Sequence, residues 1–164
     1  MKTKVLYRGS PPESKFINTA ISHAATTTST TILTALAIGA STSTRVGRKV
    51  KVKSVDMNVT VNGPTAVKLR CILYAPKQAD DIIALTNHYD SVNNDRYWII
   101  KDWYQTANLN NATQITRHRF PMGLGVEFDG PLLTDLAKNP LKLYIHTNAA
   151  DDVRGHTKVW YTDN

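Results

Sequence analysis

The chain has few of the residues that several protein classes require. Its 164 residues contain one cysteine, Cys71, which excludes an intramolecular disulfide framework and a cysteine-rich zinc site. The most apolar run, at 32–38, is seven residues long, whereas a membrane-spanning helix needs about 20. Residues 1–30 contain no apolar segment typical of a secretory leader. We therefore expect an intracellular compartment, or a particle assembled inside a cell.

Enzyme motifs are also missing. The five histidines are scattered, without a His-x-His or His-Glu-x-x-His pair. The chain has no glycine-rich phosphate loop, no Gly-x-Ser-x-Gly elbow and no cysteine–histidine nucleophile pattern. We therefore do not expect an enzyme. Cys71 shares its parity with Leu69 and Leu73, which is typical of a small buried hydrophobic residue rather than a reactive thiol.

Acidic residues are nearly absent from the first third of the chain. Residues 1–53 hold nine Lys and Arg against Glu13 alone, a balance of +8, and the rest of the chain carries −1 of the total of +7. A one-sided basic segment on a nearly neutral body suggests a polyanionic partner, either nucleic acid or an anionic membrane surface.

Two pairs of adjacent acids, Asp80/Asp81 and Asp151/Asp152, lie in predicted loops. Clustered carboxylates at a subunit interface could hold Ca²⁺, which prefers oxygen ligands. Acids that cap helices or populate turns are the more common explanation. We therefore expect no cofactor, with interfacial Ca²⁺ as the alternative.

Strand-forming residues dominate what is present. Thr, Val, Ile, Tyr and Trp recur in short runs bounded by Gly, Pro, Asn and Asp, which predicts eight strands. The predicted strands cover 14–22, 30–38, 49–61, 66–75, 96–104, 113–128, 141–147 and 156–162. Short helices are predicted at 80–85 and 131–137. This pattern favours an all-β sandwich, jelly roll or barrel.

The third predicted strand changes parity part-way along. Lys49, Lys51 and Lys53 alternate with two valines, which places three ammonium groups on one face. Beyond Ser54 the apolar residues occupy odd-numbered positions instead. A β-bulge or bend near 53–54 would let both halves face the same core. The alternative is that 45–53 leaves the sheet and forms an arm or corner.

Positive charge is concentrated at the start of this strand, with five basic residues between 45 and 53. Lys and Arg bind phosphates by releasing condensed counterions, without reading the base sequence. A solvated surface is the alternative, although ordinary solvated faces mix both signs of charge. The candidate phosphate-binding residues are Lys2, Lys4, Arg8, Arg45, Arg48, Lys49, Lys51, Lys53, Arg117 and Arg119.

The tryptophans Trp98, Trp103 and Trp160 are a second feature that single-strand binders use, because bases stack on aromatic rings. Aromatic residues in strands more often pack in the core or at a subunit contact, and we favour that interpretation.

Several segments, in order along the chain, resemble a known protein family. They read PESKFIN at 12–18, IGAS at 38–41 and RVGRKVKVKSV at 45–55, followed less specifically by LRCILY at 69–74 and RYWIIKD at 96–102. This series resembles the capsid proteins of small circular single-stranded DNA viruses that encode a replication initiator, the CRESS-DNA group that includes circoviruses. It is also similar to the coat proteins of plant satellite viruses.

The resemblance implies a single eight-stranded jelly roll over 14–164, a β-sandwich of two four-stranded antiparallel sheets, preceded by a short basic arm at 1–13. It implies self-assembly into an icosahedral T=1 shell of sixty copies around single-stranded nucleic acid, expected to be a DNA genome. The basic N-terminal part would face the lumen. The implied location is the virion, with the host cell nucleus as a place of assembly, and no membrane partner is expected.

The chain departs from this family in one respect. Such capsid proteins commonly begin with a long arginine-rich arm, whereas here only Lys2, Lys4 and Arg8 precede Pro11. Genome contact would therefore depend more on the folded domain, through 45–53 together with Arg117 and Arg119.

Two other functions stay open at this level. A monomeric or small-oligomer β-barrel that binds single-stranded nucleic acid would use the same basic segment and the same tryptophans. A carbohydrate-binding or enzymatic jelly roll is less favoured, because the His-x-His pair and the secretion signal are missing.

Overall fold

The computed structural model describes residues 13–23, 28–41, 43–62, 67–107, 113–147 and 152–163. These residues form nine strands and no helix, and therefore no helix that could cross a membrane. The strands are β1 (Ser14–His23), β2 (Thr28–Ile32), β3 (Lys49–Asn62), β4 (Val67–Pro76), β5 (Tyr97–Ala107), β6 (Thr113–Phe128), β7 (Leu136–Lys138), β8 (Lys142–Thr147) and β9 (Asp152–Asp163).

The strands pair into two antiparallel sheets. The first sheet contains five strands in the order β1-β9-β3-β6-β7, and the second contains four in the order β2-β8-β4-β5. Four pairings join β1 to β9, β2 to β8, β3 to β6 and β4 to β5. With the short β7 set aside, these are the pairings of one long antiparallel hairpin. In addition, β3 pairs with β9 and β4 pairs with β8.

The all-β prediction is confirmed, and the two layers are consistent with a β-sandwich. The expectation of two four-stranded sheets is wrong for the first sheet, because Leu136–Lys138 pairs with the end of β6 and adds a fifth strand. The helix predicted at 131–137 is absent for the same reason. A carboxylate oxygen of Asp135 accepts a hydrogen bond from the backbone N–H of Leu132 at 2.8 Å, which closes a turn before β7 begins.

The strand predicted at 30–38 is only partly correct, because β2 ends at Ile32. Leu33 and Leu36 lie beyond the strand and are fully buried. The backbone N–H of Leu33 bonds to the carbonyl oxygen of Leu141, and the chain then leaves the sheet. The apolar run therefore fills the end of the core instead of extending the ladder.

The helix predicted at 80–85 is also absent. The backbone N–H groups of Ile83 and Leu85 bond to the hydroxyls of Tyr74 and Tyr144, at 3.3 and 3.4 Å. These backbone groups are satisfied by side chains of the second sheet, so the segment lies flat on that sheet and forms no helical turn.

The predicted bulge in the third strand is confirmed. The register of β3 against β9 shifts between Val52, which pairs with Tyr161, and Ser54, which pairs with Trp160. Because those two partners are consecutive, Lys53 is the extra residue of β3. The valines on both sides of the bulge are buried, whereas the lysines of this strand are exposed. The alternative, in which all of 45–53 leaves the sheet, is wrong from Lys49 onward.

The main core lies between the two sheets and is mostly aliphatic. It includes Val55 and Val59 of β3, Leu73 of β4 and Ile145 of β8, all fully buried. Cys71 belongs to the same cluster, and its burial raises the pKa of its thiol. The interpretation of Cys71 as a small buried hydrophobic residue is therefore confirmed.

The outer faces of the two sheets differ in whether a described loop packs over them. The loop between β4 and β5, residues 77–96, lies over the second sheet and forms a smaller apolar cluster with it. In that cluster Ile83 of the loop packs against Ile72 and Tyr144 of the sheet. Among the described segments no comparable apolar cluster forms over the outer face of the first sheet. That uncovered face carries the candidate site.

Gly155 of β9 and Gly125 of β6 provide a matched pair for testing how closely the strands approach. A Cβ built at Gly155 would lie 2.0 Å from the backbone oxygen of Asn58 on β3, whereas one at Gly125 meets nothing within 4 Å. We expect Gly155→Ala to reduce the free energy of unfolding by about 3 kcal/mol, and Gly125→Ala to change it by less than about 1 kcal/mol. Urea denaturation followed by tryptophan fluorescence measures both. Equal midpoints would contradict the close approach of β9 to β3.

Candidate nucleic-acid interface

The exposed face of the first sheet brings basic side chains from three strands together. Alternation along the strands places one side chain in two on this face. The register sets Lys158 of β9 beside Asp56 of β3, and Asp56 beside Arg119 of β6. We call this surface the basic face. With the exposed Lys53 of the bulge included, the charged residues of β3, β6 and β9 on this face whose side chains are described are Lys49, Lys51, Lys53, Asp56, Arg117, Arg119, Glu127, Arg154 and Lys158.

Seven of these side chains are basic and two are acidic, a strong imbalance for one face of a small protein. A shallow groove of about 840 Å³ crosses the face. Arg117 and Arg119 line it on the β6 side and His156 and Lys158 line it on the β9 side, with Asp56 of β3 between them. An open groove with positive charge on both sides attracts a polyanion and can follow its backbone.

Two aromatic rings hold the ammonium group of Lys158 in place. The group lies 3.9 Å from the ring centroid of Phe16 and 4.2 Å from that of Trp160. The indole Nε1 of Trp160 donates to Oδ2 of Asp56 at 2.9 Å, and Oδ1 of Asp56 lies 3.4 Å from Nε of Arg119. Asp56 therefore orients one side chain on each side of the groove. Trp160 packs against Phe16 and Trp103 belongs to the main core, as the favoured interpretation expected, whereas Trp98 is 60% exposed.

The lysines of β3 differ in their partners. Nζ of Lys49 lies 3.1 Å from a carboxylate oxygen of Glu127, and both side chains are well exposed, so the pair is worth little. Within the described part of the chain, Lys51 and Lys53 form no ion pair and are exposed. Lys51 and Lys53 are therefore the most available cations of β3 for an external phosphate.

Arg45 does not lie on the basic face, and its prediction as a phosphate contact is wrong. The side chain is fully buried, and its guanidinium donates to the backbone oxygens of Leu36, Gly47 and Gly130. The guanidinium carbon also lies 4.0 Å from the ring centroid of Phe128. Burial lowers the pKa of Arg45. All three nitrogens of the guanidinium serve backbone oxygens inside the protein.

The segment around Arg45 therefore serves in part to hold loops of the protein together. Gly47 has a φ of 134°, a conformation that side-chain-bearing residues rarely adopt. Arg45 ties the loop before β3 to the loop after β6, through Leu36 and Gly130 respectively. Arg48, one residue before β3, is exposed and stays a candidate for phosphate contact.

The other predicted residues divide into two groups. Arg117 and Arg119 are exposed on the basic face, where they pair with Asn58 and Asp56 of β3 and not with residues 49–53. Lys2, Lys4 and Arg8 lie outside the described residues.

Three residues of β9 belong to the site although sequence reasoning missed them: Arg154, His156 and Lys158. They alternate with Gly155 and Thr157, so the signal of a basic strand face was present in the sequence. Residues of other types separate these three positions, and nothing in the local pattern indicates that β9 lies next to β3. Only the pairing of strands that are far apart in the chain brings these residues to the basic face.

The acidic pairs are not arranged as a metal site in the described residues. No group of three or more His, Cys, Asp or Glu side chains comes together there. Asp81 forms an ion pair with Arg96. Asp151 lies outside the described part of the chain, and the side chain of Asp152 is not described.

Comparison with known proteins identifies no relative: no protein-family model and no curated protein matches this chain. The basic face and the strand pairing are therefore the observations on which a function can be proposed.

Variants at Arg45 and Arg48 test whether the first arginine stabilises the fold while the second only lies on the surface. We expect Arg45→Ala to lower the free energy of unfolding by about 3 kcal/mol, because it leaves three backbone oxygens without their donor and removes packing against Phe128. Arg48→Ala should change it by no more than about 0.5 kcal/mol. Urea denaturation of both variants measures the difference. A variant at Arg45 as stable as the one at Arg48 would contradict the structural assignment.

Proposed function

We propose that this chain is a viral capsid protein with a jelly-roll fold. It self-assembles into a small icosahedral shell and packages single-stranded DNA through contacts to phosphate that do not depend on base sequence. The basic face is the observation that carries the proposal, because its described side chains include seven basic and two acidic ones on a sheet face that no described apolar cluster covers. The proposed location is the virion.

The strand pairing supports a jelly roll. Apart from β7, the eight remaining strands pair first with last, second with second-last, and so on inward. This nested scheme is what results when a long hairpin of eight strands rolls into two facing sheets, each of four strands. In this proposal β7 is a short addition to the edge of the first sheet.

The basic face suits binding to phosphate rather than to bases. Its side chains are Lys and Arg on strands, so their positions are set by the sheet and not by a mobile loop. Phosphate contacts of this kind position a nucleic acid and carry no base information. The net charge of sixty whole chains sums to roughly +420, and a packaged polyanion would neutralise the part of it that faces the lumen.

Exposed apolar side chains at one end of the sandwich support self-association. Ile38, Val46, Leu132 and Leu133 are 50, 60, 62 and 49% exposed. They lie on neighbouring loops, because the backbone N–H of Ile38 bonds to the carbonyl oxygen of Pro131. Clustered exposed apolar side chains mark protein–protein contacts. The edge strands of both sheets offer further pairing positions.

A second candidate function is a single-stranded nucleic-acid-binding protein that does not form a shell. The basic face supports both functions equally, because phosphate binding needs no assembly. The exposed apolar end favours the capsid protein. The two are separated by whether binding occurs with or without particles of uniform size.

The first test removes two cations from the basic face. We expect Lys51→Gln with Arg117→Gln to weaken binding to a single-stranded oligonucleotide and to reduce the slope of log K against log salt by about 1.4, roughly 0.7 for each lost phosphate contact. Fluorescence anisotropy across a salt series measures both quantities.

The matched control carries the same loss of charge outside the basic face. Lys77→Gln with Lys101→Gln removes two exposed lysines from the β4–β5 loop and from β5 of the second sheet. This control should keep the slope of the native chain. Equal slopes for both double variants would show that net charge, and not the basic face, governs binding.

The second test addresses assembly. Purified protein should form particles of uniform diameter in electron microscopy, with a mass of roughly 1.1 MDa for sixty subunits before any nucleic acid is added. Leu132→Glu with Leu133→Glu should keep the protein monomeric, because it places charge at the apolar contact. Native protein that stays monomeric across salt and concentration would overturn the capsid function, and retained oligonucleotide binding would then favour the second candidate.

A further inference from the structure

The β4–β5 loop (residues 77–96) is attached to the second sheet by buried cations of that sheet. Arg70 of β4 donates to the backbone oxygens of His88 and Asp90 in the loop, at 3.0 and 2.7 Å. Lys142 of β8 donates to two further backbone oxygens near the start of the loop, at 2.7 and 3.0 Å. Both cations are almost completely buried. Buried cations of the second sheet therefore hold the loop at two points.

Two histidines meet where Arg70 holds the loop. The ring centroids of His88 in the loop and His146 on β8 lie 5.5 Å apart, and both side chains are buried. Nδ1 of His146 lies 3.4 Å from the hydroxyl oxygen of Tyr144. Nδ1 of His88 is buried and has no hydrogen-bond partner among the described residues.

The two carboxylates near this histidine pair already bond to other groups, and the other charged groups that face it are basic. One carboxylate, that of Asp102, forms a bidentate ion pair with Arg70 at 2.7 and 3.1 Å. The other, that of Asp90, accepts the backbone N–H groups of residues 86 and 87. The titratable groups that face the two rings are Lys68 and Arg70 from β4, Asp102 and Tyr104 from β5, Tyr144 from β8, and Tyr89 and Asp90 from the loop, whereas β2 carries none.

This site accommodates neutral imidazole and disfavours imidazolium. A proton on Nδ1 of His88 would create a buried N–H donor without an acceptor, and a charge on either ring would repel Arg70. Burial, the other imidazole and Arg70 lower the pKa of His88, and burial and Arg70 lower that of His146. An opened loop returns both rings to water, where they take up protons near pH 6.5. Acid therefore favours the open form.

We infer that the β4–β5 loop is an acid-released flap, which covers the second sheet at neutral pH and detaches when His88 and His146 become protonated. Detachment exposes the apolar cluster that the loop covers, which includes Ile72, Tyr74 and Tyr144 of the sheet. The core between the two sheets is a separate cluster, so the first sheet and its basic face keep their structure. The flap does not depend on the proposed function.

Hydrogen exchange measured by mass spectrometry tests the flap directly. After correction for the pH dependence of intrinsic exchange, amides of the loop should lose protection at least about tenfold between pH 7.5 and about pH 5, because each protonated histidine adds to the opening equilibrium. The amides of Ile83 and Leu85 report the release, since they bond to tyrosine hydroxyls of the sheet. Peptides from β3 should keep their protection. Unchanged loop protection, or equal loss in β3, would overturn the inference.

Histidine variants assign the effect. His88→Gln with His146→Gln removes both titrating groups and should keep the loop protected at about pH 5, whereas His156→Gln on the basic face should open like the native chain. A double variant that still opens would overturn the inference. If that variant fails to fold, nuclear magnetic resonance titration of the native histidines decides the question. Ring pKa values for His88 and His146 at or above 6.5 would then overturn it.

Discussion

The central strand β3 constrains both faces of the first sheet. It pairs with β9 on one side and with β6 on the other, so the direction of each β3 side chain sets the face to which its neighbours belong. The extra residue at Lys53 keeps Val50 and Val52 in the same core as Val55 and Val59. Without that bulge, one half of the strand would bury its lysines or expose its valines. Either arrangement would cost more free energy than the displacement of one residue from the ladder.

The two sheets use their outer faces in opposite ways. The second sheet presents apolar and aromatic side chains outward, and the β4–β5 loop covers them. The first sheet presents Lys and Arg, which a loop could cover only by removing several charges from water at high cost. Burial of the one outer face and solvation of the other therefore follow from the residues that each sheet presents. In the proposed function, this solvated face binds a partner that supplies negative charge.

Much of the fold was predictable, because strand alternation is a local property. The parity change in β3 predicted the bulge, and the alternation of Lys49 and Lys51 with valines predicted which side chains face water. The failures occur where a distant residue decides the local structure. Leu33 and Leu36 were predicted to lie in a strand, but they fill the end of the core. Residues 80–85 were predicted to form a helix, but their backbone bonds to tyrosines of the second sheet.

The sequence determined that this chain is basic, rich in strand-forming residues, limited to one cysteine and without the common enzyme motifs. It also determined that the excess charge lies in residues 1–53. The tertiary structure decided how charge is arranged in space. It buried Arg45, because backbone oxygens of three separated residues converge on its guanidinium. It added Arg154 and Lys158 to the basic face, because antiparallel pairing sets the last strand beside the third.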